Sequence, residues 1–358
     1  MGFKKEVLPF FVMLIIAMPT GYYFVGKMVY DQVAHTNTDC WGNFDQNTPD
    51  QFAPLRKEVP LNESLNSENL TDNIMNNLSQ YWWPSDYQHA TIEVEGEDIF
   101  LSAWYYNQSE TAPWIIFTHG IRGCKSGGEL LISSGMLLNA GFNVIVYDLR
   151  DHGESSIDDN RVSGGQDEWQ DVVAVFDWLV EEKKVDPDAI GLFGTSMGAG
   201  TSAIAFSLDD RMQAVWLDSG YADMGDIVVE ELEFQGLPTF LGPAGIFAGK
   251  ISAGQNLIEY YPLEAASEIG DRHMYVVHGN QDKRVRLHHG EEMCEVAMEN
   301  GNEENIECWF EDSVIRFDVG EGMDSDEHVT LMLTHTDEYE NRLVGFFTES
   351  LMLSLIHI

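Results

Sequence analysis

The sequence predicts an α/β fold built on a mostly parallel, doubly wound sheet, and three observations lead to this class. Six short apolar runs recur between residues 114 and 310, as expected for strands that are buried on both faces. Helical periods separate these runs; residues 172–179, for example, are apolar at i, i+3, i+4 and i+7. Ahead of the runs, the segments "ATIEVE" and "IFLSAWYY" alternate in polarity, which indicates a hairpin. Strands that alternate with helices imply this architecture.

The six runs are expected to form strands of one sheet that is covered by the helices between them. The runs are "WIIFTHG" (114–120), "FNVIVYD" (142–148), "AIGLFGTS" (189–196), "QAVWLDSG" (213–220), "MYVVHGN" (274–280) and "IECWF" (306–310). The segment 221–265 is longer than one crossover helix needs, so we interpret it as a cap inserted after the strand at 213–220. The sequence therefore predicts one domain over residues 86–350 that carries an inserted cap.

The N-terminal residues predict a membrane anchor. Lys4 and Lys5 precede residues 7–26, which carry no charge, and about 20 apolar residues suffice to span a bilayer. Because no convincing cleavage site follows, an uncleaved anchor over residues 1–27 is favoured over a removed signal peptide. The lysines place the N-terminus in the cytoplasm, so the following domain is expected on the extracytoplasmic side. Residues 28–85 are polar and indicate a tether with irregular structure.

Composition limits the classes of partner. The chain of 358 residues has 60 acidic and 19 basic residues, a formal charge of -41 that argues against binding to nucleic acid. The four cysteines, Cys40, Cys124, Cys294 and Cys308, do not have the spacing of a zinc site. Cys294 and Cys308 could pair in an oxidising compartment, and free thiols are the alternative.

A serine between a strand and a helix is the strongest chemical signal. Gly194-Thr195-Ser196-Met197-Gly198 matches the G-x-S-x-G nucleophile elbow, in which glycines at i-2 and i+2 allow a very tight turn. A phosphate-binding loop is disfavoured because no G-K-[ST] closes the glycine run. The loop after the strand at 114–120 can offer the backbone N–H of Ile121 beside that of Met197. These two groups are the predicted oxyanion hole.

A serine nucleophile also needs a base and an acid that orients this base. Asp282 follows the strand at 274–280, at the carboxyl edge where sites form in such sheets. His328 precedes the C-terminal helix and is the predicted base; His335, near the start of that helix, is the alternative. His288 and His289 follow Asp282 too closely and are expected on the next helix. His119 is expected to be structural.

These motifs resemble those of the α/β-hydrolase superfamily. The resemblance covers residues 88–347 and rests on "THGIRG", "YDLRDHGESS", "GGQDEWQDVVAVFDWL", "IGLFGTSMGAG", "VWLDSGYADM" and "VVHGNQDKRV". Within the superfamily the chain is similar to bacterial membrane-linked hydrolases of the serine aminopeptidase-like, Bem46/YqkD-type group. The resemblance implies an α/β-hydrolase fold with Ser196 as nucleophile, Asp282 as acid and His328 as base. Two departures are Asp151, where the family usually has glycine, and a lengthened segment between the last strand and His328.

The expected activity is hydrolysis of carboxylic esters through an acyl-enzyme, as in carboxylesterases and lipases, with no cofactor or metal. The substrate is expected to be a small-molecule or lipid-like ester, since the cap segment "EFQGLPTFLGPAGIF" is apolar. An aminopeptidase of the same fold and a catalytically inactive binding protein are the alternatives.

Four acidic residues before His328 could hold calcium, but a solvated loop is favoured because their spacing fits no EF-hand. They are Asp318, Glu321, Asp324 and Asp326.

Overall fold

A single eight-stranded sheet forms the centre of the molecule. The computed structural model describes residues 3–36, 40, 47–53, 71–314 and 327–352. The strands are β1 (Gln88–Glu93), β2 (Phe100–Tyr106), β3 (Trp114–Thr118), β4 (Asn143–Tyr147), β5 (Ile190–Thr195), β6 (Ala214–Asp218), β7 (His273–Gly279) and β8 (Ile306–Glu311). Their order is β1-β2-β4-β3-β5-β6-β7-β8. The β1–β2 and β2–β4 pairs are antiparallel and the other five pairs are parallel. The predicted hairpin, six further strands and mostly parallel sheet are confirmed.

Helices accompany this sheet, and several of them cover its two faces. They are α1 (Phe3–Ala34), α2 (Asp72–Asn77), α3 (Gly128–Asn139), α4 (Trp169–Glu182), α5 (Met197–Leu208), α6 (Met224–Phe234), α7 (Gly242–Ser252), α8 (Glu264–Ser267), α9 (Leu287–Asn300), α10 (Leu331–Thr334) and α11 (Thr336–Phe347). Short 3₁₀ turns lie at Leu78–Tyr81, Pro187–Ala189, Thr239–Leu241 and Glu303–Asn305, and a π turn lies at Thr348–Met352.

Two apolar cores follow from the alternation of side chains along each buried strand. Ile116 and Leu192 belong to a core that includes side chains of α4, α5 and α9. Their neighbours Phe117 and Phe193 belong to the opposite core, which includes side chains of α3 and α11. Both sheet faces are therefore dry, which explains why the central strands have continuous apolar sequences.

Parallel pairing brings the carboxyl ends of the central strands to one edge of the sheet. Thr118 of β3 is paired with Gly194 of β5, and Thr195 is paired with Asp218 of β6. The carboxyl ends of β3, β5 and β6 consequently lie side by side, and β7 continues the row. The loops that leave this edge carry the sequence-predicted site residues.

Parts of the segment before the sheet, among the residues that the structure describes, are helical. The sequence predicted an irregular tether over residues 28–85. Helix α1 instead continues past residue 27 and ends at Ala34, and residues 72–81 are also helical. Trp83 is buried and its indole Nε1 donates to Ser134 Oγ at 3.0 Å, so this segment packs against α3. Within the described ranges, the structure contains no helix with both the length and the apolarity to cross a bilayer. It therefore does not support the anchor expected over residues 1–27.

The segment between β6 and β7 contains α6, α7 and α8, which overlap the predicted cap at 221–265. Asp223 caps α6, since its side chain accepts hydrogen bonds from the backbone N–H groups of Gly225 and Asp226. Gly242 and Pro243 begin α7, where proline is tolerated because it has no N–H to pair. The cap thus lies directly after β6, above the carboxyl edge of the sheet.

All four cysteines are paired, as Cys40–Cys124 and Cys294–Cys308. The second pair is the one that sequence spacing had suggested, while the first joins residues that are 84 apart. In the chain-entropy model, the longer loop gives the larger stabilisation.

Removing these disulfides should lower the free energy of unfolding unequally. We expect Cys40→Ser with Cys124→Ser to remove about 4 kcal/mol, and Cys294→Ser with Cys308→Ser about 3 kcal/mol. Guanidinium unfolding of the full-length protein, with and without dithiothreitol, measures both losses. The expectation would be contradicted if dithiothreitol left the guanidinium midpoint of the unmodified protein unchanged although its cysteines were shown to be reduced.

Candidate active site

Ser196 lies at the tight turn between β5 and α5. Its backbone φ is 53°, in the left-handed region, and its N–H donates to the carbonyl oxygen of Asp218 at 2.8 Å. A Cβ added to Gly194 would lie 2.3 Å from the Gly198 carbonyl oxygen, and one added to Gly198 would lie 2.2 Å from that of Thr118. Both glycines are therefore required sterically, and the strained turn holds the Ser196 hydroxyl above the sheet edge.

Three side chains from separate loops form one hydrogen-bonded chain. Ser196 Oγ lies 2.8 Å from His328 Nε2, and His328 Nδ1 lies 2.7 Å from Asp282 Oδ2. The tautomer with its proton on Nδ1 satisfies both contacts, because Nδ1–H donates to the carboxylate and Nε2 accepts from the serine. The structure thus brings together the serine, acid and histidine that the sequence singled out.

Asp282 is held by its own loop after β7. Its other carboxylate oxygen, Oδ1, accepts hydrogen bonds from the backbone N–H groups of Arg284 at 2.8 Å and Val285 at 3.0 Å. Burial by itself would raise the pKa of Asp282, but the His328 ring and these hydrogen bonds outweigh it and lower the pKa below its ordinary value. The carboxylate is therefore ionised at neutral pH and aimed at His328.

The position of His328 is fixed by its sequence neighbours. Glu327 accepts a hydrogen bond from the backbone N–H of Gln281 at 2.6 Å, which joins the histidine loop to the acid loop. On the other side, Val329 has a φ of 55° and its N–H donates to Ser219 Oγ at 3.3 Å. His335 instead faces Trp309 and Thr334, so His328 and not His335 reaches Ser196. The four acidic residues considered for calcium lie outside the described residues.

The two residues of the predicted oxyanion hole lie at the same cavity as the serine. Ile121 and Met197 line the cavity at Ser196, and within the described part of the chain neither backbone N–H donates to an acceptor. Gly120 allows the loop to approach, because an added Cβ would lie 3.0 Å from the Cβ of Ser196. Two N–H groups beside a serine hydroxyl can stabilise the negative charge that develops during acyl transfer.

An apolar cavity opens above Ser196. Its empty space is about 760 Å³ including its open mouth, and cap residues such as Met224, Ile227 and Leu257 line it. The charged side chains at its edge include Glu231 and Arg284, whose Oε2 and Nη2 atoms lie 3.5 Å apart. Apolar walls around a few polar groups are typical of small-molecule sites.

The sequence reasoning missed Asp218, which lies behind the site at the end of β6. Its carboxylate is buried and accepts hydrogen bonds from Tyr339 Oη at 2.8 Å and Ser219 Oγ at 2.9 Å. Burial raises its pKa to about 6, against these hydrogen bonds. Since Ser219 also binds the N–H of Val329, Asp218 supports the loop that carries His328. The available signal was its place at the carboxyl end of a central strand.

The sequence also led to expectations for His119 and for the pair His288 and His289. His119 is fully buried; its Nδ1 lies 2.8 Å from the Gly120 carbonyl oxygen and its Nε2 accepts from the Leu149 N–H at 3.0 Å. Burial keeps its pKa well below the ordinary value, so the ring is neutral and holds the loop after β3. His288 and His289 lie on α9, as expected from their spacing.

The pair on α9 meets Glu230 of α6 in an arrangement that could hold a metal ion. His289 Nδ1, however, accepts a hydrogen bond from the backbone N–H of Ala222 at 3.2 Å. The neutral ring then carries its proton on Nε2, which faces Glu230 Oε2 at 3.4 Å. That nitrogen has no lone pair for a metal, so we interpret the group as a link between the cap and α9.

Asp151 replaces the glycine that the family usually has, and the structure explains the tolerance. Its φ is 62°, a conformation that aspartate adopts more readily than most residues. Its Oδ1 accepts hydrogen bonds from the N–H groups of Asp158, Asp159 and Asn160 at 2.8, 3.2 and 2.9 Å. The aspartate therefore adds a function that glycine lacks, since it closes the loop at 158–160.

Comparison with known proteins agrees with this fold. A family model described as alpha/beta hydrolase fold matches residues 113–242. An uncharacterized 31.7 kDa protein of Escherichia coli from the traX-finO intergenic region is 32% identical over 117 residues, which are 33% of this chain and 40% of that protein. The thiohydrolase aneE of Aspergillus aculeatus is 25% identical over 126 residues, 35% of this chain and 38% of that protein. The matches thus span less than half the length of these relatives.

Among solved structures, the esterase Pf2001 of Pyrococcus furiosus has a similar fold. Its TM-score is 0.56 at 21% identity, and the match covers 75% of this chain and 93% of that one. At this identity the likeness concerns the arrangement of strands and helices. The strand order, the turn at Ser196 and the matched family model lead to the same assignment. The chain has an α/β-hydrolase fold, and its residues 113–242 match the family model of that fold.

Proposed function

We propose that this hydrolase-fold protein is a serine hydrolase that cleaves carboxylic acyl esters through an acyl-enzyme on Ser196. The observation that carries the proposal is the hydrogen-bonded chain from Ser196 Oγ through His328 to Asp282, at 2.8 and 2.7 Å. Both distances lie within the range required for a nucleophile and its base. The same contacts argue against the alternative of an inactive binding protein.

In the proposed reaction, His328 Nε2 takes the proton of Ser196 as Oγ attacks the ester carbonyl carbon. The oxyanion accepts hydrogen bonds from the N–H groups of Ile121 and Met197. Collapse of this intermediate breaks the bond to the leaving alcohol, which receives the proton from His328. Water then attacks the carbonyl carbon of the acyl-enzyme as His328 takes its proton. The bond to Ser196 Oγ breaks, the serine regains its proton from His328 and the carboxylic acid leaves. Asp282 stabilises the imidazolium in both halves of the reaction.

The cavity favours an apolar acyl group over the charged amino terminus that an aminopeptidase binds. Glu231, which could attract an ammonium group, already faces Arg284 at 3.5 Å. Met224, Ile227 and Leu257, which line the cavity from the cap, are apolar. The names of two similar proteins, an esterase and a thiohydrolase, are in keeping with acyl transfer to water.

We also propose that the domain lies outside the cytoplasm. Two disulfides support this location, because such bonds persist in oxidising compartments and are rare in the cytosol. Alkylation of the free thiols in intact cells, followed by mass analysis of the protein, tests it. All four cysteines should resist alkylation until a reductant is added, and four alkylated cysteines before reduction would contradict the proposal.

A fluorophosphonate probe tests for the activated serine directly. We expect the full-length protein to be labelled at Ser196, and His328→Ala to lose this labelling because no base remains to activate the hydroxyl. His335→Ala is the matched control, since this ring lies in the same region and faces away from Ser196, and it should label normally. An unlabelled but folded wild-type protein would favour the inactive binding protein.

A further inference from the structure

The second half of α1 carries an apolar stripe that the sequence reasoning assigned to an anchor and a tether. Gly26, Val29, Tyr30, Val33 and Ala34 are spaced at i, i+3, i+4, i+7 and i+8, which places them on one helix face. Val29, Tyr30 and Ala34 are buried and Val33 is half-buried. This face is therefore covered by protein.

Helix α7 of the cap covers it at very short range. A Cβ added to Gly26 would lie 2.0 Å from the carbonyl oxygen of Ala244. A Cβ on Gly249 would lie 2.9 Å from the ring of Tyr30, whose hydroxyl donates to the side chain of Gln255. The two helices are thus packed backbone to backbone, and only glycine permits this contact.

The end of α1 is also joined to the loop that carries the oxyanion hole. Arg122 Nη2 donates to the Val33 carbonyl oxygen at 3.3 Å, and its Nε donates to that of His35 at 3.2 Å. The Cys40–Cys124 disulfide links the same two segments covalently. The Val162 N–H donates to the Ala34 carbonyl oxygen at 2.8 Å, in the loop region closed by Asp151. The end of α1 is thus held by the loop that contains Arg122 and Cys124 and by the loop at Val162.

The stripe faces the cavity at Ser196. Val29, Tyr30, Val33 and Ala34 line it from one side, and the cap residues Ile227 and Ile246 line it as well. We call the first four residues the helix wall. Most of the residues that line this cavity are apolar, and the charged Glu231 and Arg284 side chains in its lining face each other, so the cavity matches an ester with a hydrocarbon acyl chain.

We propose that the helix wall is the acyl-binding surface of this site, and that it selects esters of medium and long unbranched acyl chains. The inference rests on the proposed function, because it names the substrate class of the same site. It assigns residues of the first helix, about 160 positions before Ser196 in the sequence, as determinants of specificity.

Val33 offers the sharpest test because it is half-buried, so a larger side chain can extend into the cavity without displacing the core. We expect Val33→Trp to lower the dodecanoate-to-acetate ratio of kcat/KM for 4-nitrophenyl esters by at least about tenfold. Val33→Ala should raise this ratio. Met28→Trp is the matched control, since Met28 is 74% exposed on the same helix and lies outside the wall.

Binding of a dansyl-labelled fatty acid to the full-length protein gives a second readout that needs no catalysis. Val33→Trp should weaken this binding and Met28→Trp should leave it unchanged, with circular dichroism melts showing that both variants fold. Equal ratios and equal binding for both variants would overturn the inference. A protein that hydrolyses no ester but binds the fatty acid in a Val33-dependent manner would instead overturn only the proposed function.

Discussion

Ser196→Ala should reduce kcat/KM for a 4-nitrophenyl ester by between about 10⁴- and 10⁶-fold. The loss follows from the removal of the proposed nucleophile, since Ser196 Oγ is the group in contact with His328 Nε2. The oxyanion hole and the apolar cavity would remain, so a small rate above that of water should persist. Steady-state kinetics on the full-length protein measure the loss, and mass spectrometry should detect no acylated protein.

Ser202→Ala provides the comparison for this variant. Ser202 lies on α5, the helix that begins after Ser196, and its buried hydroxyl has no hydrogen-bond partner within the described residues. Its removal should leave kcat/KM unchanged. Comparable activity of Ser196→Ala and Ser202→Ala would show that another group attacks the ester.

Asp282→Asn should lower kcat by about 10⁴-fold without unfolding the protein. The amide oxygen can still accept from the N–H groups of Arg284 and Val285, so the loop keeps its hydrogen bonds. The amide NH₂ then faces His328 Nδ1 and donates to it, which moves the ring proton to Nε2. In this tautomer Nε2 cannot accept the proton of Ser196, and the imidazolium loses its counter-charge.

Asp271→Asn is the control at the opposite end of the same strand. Asp271 is exposed and lies two residues before the start of β7, whereas Asp282 follows this strand. The control should keep full activity and an unchanged melting temperature. An Asp282→Asn protein with wild-type kcat would show that the carboxylate has no role in orienting His328.

The strands could be predicted because their signal is local. A strand buried on both faces requires an unbroken apolar run, and each of the six runs became a strand within a few residues of its expected bounds. The turn at Ser196 was equally visible, since Gly194 and Gly198 are needed sterically by contacts within a few residues of the serine and with the end of β3. Asp282 could be assigned because the carboxyl ends of parallel strands share one edge.

The support of the site could not be predicted in the same way. Asp218 and Tyr339 are 121 residues apart, and nothing in either sequence neighbourhood indicates that the carboxylate and the hydroxyl meet. The choice of His328 over His335 also depended on contacts between distant segments, since Glu327 meets the Gln281 N–H and Val329 meets Ser219. Side-chain pairs between distant segments are decided by how the layers pack, which short-range periodicity does not encode.

The sequence by itself therefore determined the class of fold, the order of the strands along the chain and the candidate nucleophile, since each depends on a local pattern. Only the tertiary structure showed that the second half of the first helix packs against the cap and lines the cavity at Ser196. A helix with apolar residues on most sides suits a bilayer and a protein cavity equally well, because both remove the same side chains from water. The partner of each side chain depends on tertiary packing, which places Gly26 against Ala244 and Val33 at the cavity beside Ser196.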